Sequence, residues 1–171
     1  MKLRPLKDED AAPMLEWMHD PFVVSEMHTD FASKTEADCL KFIHDQYSGK
    51  NLHLAIATDD DEYMGTVSLR NIRYGSAEFA ITVRKKAMGQ GYASFGMKKI
   101  IEIAFDRLGL KRVYWCVAPE NARAVRFYEK NGYLREKAPV SALRRYTKEE
   151  TAHYLWYMVR KEQWENPCPE K

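Results

Sequence analysis

Residues 81–99 read Ile-Thr-Val-Arg-Lys-Lys-Ala-Met-Gly-Gln-Gly-Tyr-Ala-Ser-Phe-Gly-Met-Lys-Lys. An apolar strand end runs into Arg84, Lys85 and Lys86. Two glycines follow at spacing two, and a helix then begins. Such a turn leaves bare backbone N–H groups at a helix N-terminus, where unpaired donors and the helix dipole both favour an anion. Glycine at 89 and 91 permits unusual φ and close approach of a ligand to the backbone. The stretch reads as a cradle for a phosphorylated cofactor.

Its surroundings set the fold. Upstream, Leu52-His53-Leu54-Ala55-Ile56 alternates as a strand does, and residues 63–71 and 77–83 are two more strands. Asp59-Asp60-Asp61 and Tyr74-Gly75-Ser76 fall between them. The three acids could suggest a metal, but without a ligand-loop pattern they read as a solvated turn. Three strands with no helix between them form an antiparallel meander. Downstream, Met97, Ile100, Ile101, Ala104, Phe105 and Leu108 share one face of a long helix closed by Gly109. Val113-Tyr114-Trp115-Cys116-Val117 is nearly all apolar, as in a strand covered on both faces. A helix at 121–130 ends at Asn131-Gly132. Strands at 133–136 and 153–160 flank a polar loop at 138–151.

The chain opens with a strand at 2–6 and a helix at 11–19 that Pro21 stops. An irregular stretch at 20–34 mixes apolar residues with acids. Ser33-Lys34-Thr35-Glu36 matches a capping box for a second helix, with Leu40, Ile43 and Tyr47 on one face and Gly49 at its end. Residues 161–171 read as a tail restricted by Pro167 and Pro169. The expected architecture is α+β: one domain over 1–160, with a mixed, mostly antiparallel sheet of about seven strands and four helices. A doubly wound dinucleotide fold is disfavoured. The glycine turn follows a meander, and Gly89-x-Gly91 does not extend to G-x-G-x-x-G because position 94 is serine.

Composition narrows the function. The 171 residues are 45% hydrophobic and 30% charged, with a net charge of +2 and no strongly basic half, so nucleic-acid binding has no global electrostatic support. No apolar run approaches the roughly 18 residues of a membrane span, and Met1-Lys2-Leu3-Arg4-Pro5 does not read as a signal peptide. Cys39, Cys116 and Cys168 lack metal-ligand spacing and fit a reducing cytoplasm, with Cys116 as a core residue.

Two motifs in this order resemble the GNAT acetyltransferases. Met88-Gly89-Gln90-Gly91-Tyr92-Ala93 is similar to the family's acetyl-CoA motif, Gln/Arg-x-x-Gly-x-Gly/Ala, with Met88 where the pattern has Gln or Arg. Asn121-Ala122-Arg123-Ala124-Val125-Arg126-Phe127-Tyr128-Glu129-Lys130-Asn131-Gly132-Tyr133 resembles its second cofactor motif. Leu3-Arg4-Pro5-Leu6, Glu9-Asp10 and Glu78 resemble the branch of ribosomal-protein N-terminal, spermidine and amino-sugar acetyltransferases. The resemblance implies a sheet splayed between strands 4 and 5, acetyl-CoA as cosubstrate and no metal. The cofactor-binding residues it implies are Ile81, Val83, Arg84, Met88, Gly89, Gln90, Gly91, Tyr92, Ala93, Asn121, Ala124 and Tyr128. Lys85 and Lys86 join Arg84 as candidates to meet the 3′-phosphate, or form a solvated charge run.

The reaction implied is direct acetyl transfer to a primary amine. Such an amine has a pKa near 10, so freeing its lone pair at pH 7 costs about 4 kcal/mol, and a base or a water chain must take the proton. Tyr128 aligns with the family's general acid, and Glu78 is the candidate base, direct or through water. His28 and His153 have suitable intrinsic pKa values but no motif support. The acceptor segments implied are 20–34 and 136–152, with Trp17, Glu26, Phe31 and Tyr146 as candidate contacts. Glu26 and Asp30 suit a polyamine, whereas Arg144, Arg145 and Tyr146 suit a phosphate or sugar nucleotide. Trp17 with Asp20-Pro21 resembles the amino-sugar branch. The expectation is a small-molecule amine, either polyamine or amino-sugar nucleotide. A protein N-terminus and a non-catalytic acetyl-CoA sensor are the alternatives. The protein is expected in the cytoplasm, as monomer or homodimer, without nucleic-acid or membrane partners.

Overall fold

The computed structural model describes residues 1–27 and 29–165. Strands β1 (Lys2–Arg4), β2 (Leu52–Ala57), β3 (Tyr63–Arg73), β4 (Ser76–Val83), β5 (Arg112–Val117), β6 (Arg135–Glu136) and β7 (Leu155–Arg160) form one sheet in the order β1-β2-β3-β4-β5-β7-β6. All pairings are antiparallel except β4–β5. The meander and the mixed sheet are as the sequence predicts.

The splay is present. β4 and β5 pair only through Ser76↔Arg112, Ala77↔Val113 and Glu78↔Tyr114. Beyond Glu78, β4 pairs with β3 alone, and β5 continues beside β7. Among the described residues, one edge of 79–83 therefore has no strand partner, and its N–H and C=O groups face a gap.

Each sheet face carries its own cover. α4 (Tyr92–Glu102) and α5 (Ala122–Lys130) bury one face over Val67, Leu69, Phe79, Trp115 and Tyr157. Gly96 lets α4 approach closely, because a Cβ there would stand 2.4 Å from Ile56 Cδ1. α1 (Ala11–Met18) and α3 (Glu36–His44) cover the other face with Met14, Trp17, Met18, Cys39 and Ile43. A third cluster joins Tyr114, Trp156 and Met158 to Ala142. β1 is tied down by Arg4, which grips the buried Asp10 carboxylate at 2.7 and 2.8 Å. Asp61, from the acidic turn, pairs with Lys2, Arg4 and Lys7, and these cations hold its carboxyl well below the usual range.

Several boundaries differ from the sequence reading, with identifiable causes. Pro21 ends the first helix and also opens another, α2 (Pro21–Val24), at a position where its missing N–H costs nothing; Asp20 caps it by accepting from Phe22 N at 2.9 Å. The capping box of α3 begins at Thr35, not Ser33, with Asp38 as its reciprocal partner. That helix ends at His44, leaving Tyr47 exposed. α4 passes at Ile103 into a π-turn over Ile103–Arg107 instead of running on to Leu108. The strand expected at 133–136 shrinks to Arg135–Glu136. The polar loop contains α6 (Val140–Leu143) and α7 (Lys148–His153), and the last strand starts at Leu155. The expected tail begins with α8 (Lys161–Glu165), whose Trp164 packs on Phe105 with centroids 6.3 Å apart. Its remainder, 166–171, lies outside the described residues.

Candidate active site

The glycine loop is built as an anion cradle. Gly89 and Gly91 have φ of +76° and +85°, and Gly91 caps α4 without a side-chain hydrogen bond. Phe95 N is the first α4 amide to find a helical partner, bonding Gly91 O at 2.9 Å, so the preceding N–H groups point outward. An 11-residue helix supplies the dipole. Next to the loop, the unpartnered edge of 79–83 offers amides and carbonyls at strand spacing. A pyrophosphate followed by a chain of amides matches this pair of features in charge and in hydrogen-bonding pattern.

A cleft of about 740 Å³ runs along both. It is lined by Glu78, Ile81, Val83, Met88, Gly89, Gly91, Ala93, Asn121, Ala124 and Tyr128, and at its far end by Glu26, Phe31 and Tyr146. Gln90, Tyr92, Arg84 and Trp17 are not on its wall. Gln90 donates to Lys86 O at 2.7 Å, and Tyr92 is buried in the core. Arg84 is buried beneath the loop, where it pairs with Glu16 and with Glu62 and donates to Tyr63 O at 3.1 Å. Lys86 pairs with Glu62, and Lys85 sits 4.9 Å from the Phe22 ring. Each member of the basic triplet thus has a protein partner.

Met88, the departure from the motif, packs against the α1–α3 core, and Arg123 Nη1 approaches its sulfur at 3.7 Å. Arg123 also donates to Phe22 O and Val23 O, pinning α2 across the mouth of the cleft to α5. Asn121 accepts from Ala124 N at 3.1 Å as the α5 N-cap, so its amide nitrogen remains for the cleft.

Tyr128 lies within an aromatic cluster, 5.3 Å from Trp115 and 5.2 Å from Tyr157 between centroids, while its ring still lines the cleft. Burial pushes its phenol well above the usual value, so it is protonated throughout the working range. Glu78 is 3% exposed. Oε1 accepts from Arg70 and from Tyr146 Oη at 2.7 Å each, and Oε2 is paired with Arg145. Glu78, the candidate base, thus carries three side-chain partners, two of them 67 and 68 positions away in the sequence. His153 pairs with Glu120 at 3.1 Å away from the cleft wall, and His28 lies outside the described residues.

A second cavity of about 820 Å³ opens between the sheet and α1–α3. It shares Thr29, Phe31, Arg70, Ala80, Ile81 and Thr82 with the cleft, and Trp17 lies on its wall. His53, Thr66, Ser68 and Arg70 give it a polar floor. His53 Nδ1 lies 2.7 Å from Ser68 Oγ, and burial, then Arg70, lowers the imidazole pKa to about 4. Arg70, Arg123, His53 and Ser68 escaped the sequence reading. The alternation Thr66-x-Ser68-x-Arg70 on a buried strand was the available signal.

Residues 1–134 match the family model of the acetyltransferase (GNAT) domain. The uncharacterized N-acetyltransferase p20 of Bacillus licheniformis is 30% identical over 147 residues, covering 80% of this chain and 83% of that protein. Spermidine N(1)-acetyltransferase of Escherichia coli K12 is 29% identical, covering 78% and 72%. The spermidine N-acetyltransferase of Vibrio cholerae, solved in complex with CoA and spermine, superposes with a TM-score of 0.78 at 20% identity over 96% of this chain and 98% of that one. The chain belongs to the GNAT acetyltransferase family. It is an acetyl-CoA-dependent N-acetyltransferase, as its two cofactor motifs and its splayed sheet imply.

Proposed function

We propose that the enzyme acetylates the primary amine of a small molecule that lies in the second cavity and presents its nitrogen at the splay. The observation that carries this reading is the junction of the two cavities on β4: Ala80, Ile81 and Thr82 line both. Acetyl-CoA would lie along the cleft, its pyrophosphate on the amides that follow Gly89 and its pantetheine arm along 79–83 and Asn121. The acyl group would then reach the shared wall. Met88 would add no polar contact there, so the backbone carries the phosphate binding.

Tyr128 would donate a hydrogen bond and then a proton to the sulfur as the carbon–sulfur bond breaks. The burial that raises the phenol raises the neighbouring thiolate too, so donor and acceptor stay matched. Among acceptors, a polyamine is favoured by Glu26 and Glu150 on the cleft and by the aromatic wall of Trp17, Phe31 and Phe42. The spermidine acetyltransferases among the relatives point the same way. An amino-sugar nucleotide is favoured by Arg70, whose half-exposed guanidinium stands where the cavities meet. The paired state of the basic triplet makes the cradle's backbone amides, not Arg84, the main phosphate ligands. Free Cys39 and Cys116 accord with work in a reducing cytoplasm. No helix among the described residues is long and apolar enough to cross a membrane.

A thiol-release assay with acetyl-CoA tests the reading across spermidine, an amino-sugar nucleotide and N-terminal peptides. Turnover of spermidine alone assigns the polyamine, and turnover of the sugar nucleotide alone assigns the sugar. Turnover of peptides alone overturns the small-molecule reading. Stabilisation by acetyl-CoA without CoA release from any amine leaves a sensor in place of an enzyme.

A further inference from the structure

A base that deprotonates the amine must present a free lone pair to it. Glu78 meets this demand poorly: of a carboxylate's roughly four lone-pair sites, three here are taken, by Arg70, Arg145 and Tyr146, and the one that remains is on Oε2, beside the Arg145 guanidinium. Two of those partners come from one segment, 137–154, which holds α6 and α7 and whose Tyr146 and Tyr154 line the far end of the cleft. Glu78 is also the last residue at which β4 still pairs with β5. The carboxylate thus ties the 137–154 segment to the point where the two strands part.

The rest of that segment is held mostly by packing and by local caps. Thr147 and Glu150 cap α7 reciprocally, and Ala142 is buried against the third cluster. Tyr146 stands edge-on to Trp156 at 5.1 Å and to Tyr154 at 5.9 Å. Arg145 lies over the Tyr146 ring at 5.6 Å and reaches Tyr114 Oη at 3.5 Å. Burial lowers the Arg145 pKa from its usual value. His153 also pairs with Glu120, and both side chains there are about half exposed.

We propose that Glu78 is a positioning residue: with Arg145 and Tyr146 it latches segment 137–154 over the splay, where the amine of an acceptor seated in the second cavity meets the acyl group, and with Arg70 it fixes the wall that the cleft and that cavity share. The proton of the amine then leaves through water to solvent. The inference rests on the placement of the acceptor at the splay, and its effect falls on amine binding, whereas acetyl-CoA meets the latch only at the acyl end.

The test compares wild type with Glu78→Gln and Tyr146→Phe in two assays, steady-state acetyl transfer and limited trypsin digestion. Glutamine keeps the shape and one oxygen but loses both ion pairs. Glu78→Gln is expected to raise the KM for the amine on the order of tenfold, with the KM for acetyl-CoA held and kcat changed far less. Trypsin is expected to cut after Arg144, Arg145 or Lys148 roughly tenfold faster in the same variant. Tyr146→Phe is expected to move both quantities the same way by a smaller factor.

A collapse of kcat on the order of a hundredfold, with the amine KM and the trypsin rate unchanged, would make Glu78 the base and overturn the latch. If Glu78→Gln does not fold, Tyr146→Phe decides: an unchanged amine KM and unchanged digestion overturn the proposal. If the wild type acetylates no amine offered, the acceptor reading fails by itself. The digestion arm still rules on the latch, which equal cleavage in wild type and variants refutes.

Discussion

Replacing Arg84 by methionine separates two roles that its position suggests. It stands five residues before Gly89, beside the proposed phosphate cradle, yet its guanidinium is engaged with Glu16, Glu62 and the Tyr63 carbonyl. Methionine preserves much of the aliphatic stem and removes these bonds. Glu16 and Glu62 are 55% and 49% exposed, so both return to water when the cation is gone. Each ion pair then counts near its surface value of about 0.2–1 kcal/mol, well below the roughly 3–5 kcal/mol of a stranded buried charge. The Tyr63 carbonyl loses a buried donor for about 1 kcal/mol more. The expected sum is about 2 kcal/mol, which for a chain of this size lowers Tm by roughly 4–8 °C. Calorimetric unfolding and titration with acetyl-CoA measure the two sides. The expected result is a lower Tm with acetyl-CoA Kd within about twofold of wild type. An unchanged Tm with Kd raised roughly tenfold would refute the reasoning and return Arg84 to the phosphate.

Three further outcomes follow from single residues. Tyr128→Phe is expected to lower kcat roughly a hundredfold with acetyl-CoA Kd retained; unchanged turnover on a true acceptor removes the acid role. Gly91→Ala meets only Met1 Cε, at 3.9 Å, so its cost of about 1–2 kcal/mol is the positive φ, and urea unfolding should show that loss alongside weaker acetyl-CoA binding. Burial lowers the folded pKa of His53 to about 4 from the usual 6.5, so between these values the unfolded chain holds a proton that the folded one does not. Its contribution is therefore lost as pH falls from about 6.5 towards 4, by up to about 3 kcal/mol before screening by the cavity that it lines. His53→Gln should flatten the urea-midpoint profile over that window; an unchanged slope would exclude His53 as its source.

What was legible in the sequence was local. The meander, the glycine turn and the capped helix at Asn121 are fixed by neighbours within a few residues, and all three stand where the residue pattern puts them. The splay between β4 and β5 came from the resemblance and not from any periodicity. The short helices α2, α6 and α7 went unseen because four to six residues do not accumulate a 3.6-residue period, and Pro21 was read as a stop when it is also a start. The charges were the least legible. Arg84 meets Glu16 across 68 positions, and Glu78 meets Arg145 across 67. No window along the chain contains such pairs, so a basic triplet beside a glycine loop looked free when each of its members was already engaged.

The polar face of the meander gives the second cavity its meaning. A sheet face covered by helices is ordinarily apolar, and the opposite face here obeys that rule with Val67, Leu69, Phe79 and Trp115. Under α1 and α3, His53, Ser68 and Ala80 lie in one cross-strand row, and Ala55, Thr66 and Thr82 in the next. Part of this polarity is structural: Trp17 Nε1 donates to Tyr63 Oη at 3.1 Å, and Tyr63 Oη meets Thr66 Oγ1 at 2.7 Å. The row through Ala80 is different. Alanine leaves room above the sheet, and His53 with Ser68 forms a neutral hydrogen-bonding floor that burial keeps from charging near pH 7. Burying such groups is costly unless a partner is supplied, and in the first row the protein supplies one bond between two side chains that both line the cavity. A bound acceptor offering hydroxyl or amine hydrogens would complete that set, and it would do so in the cavity that opens onto the same β4 residues as the acetyl-CoA cleft. On the proposed reading the same sheet would use its broken edge for the donor and its polar face for the acceptor, which would bring the two substrates together at residues 80–82.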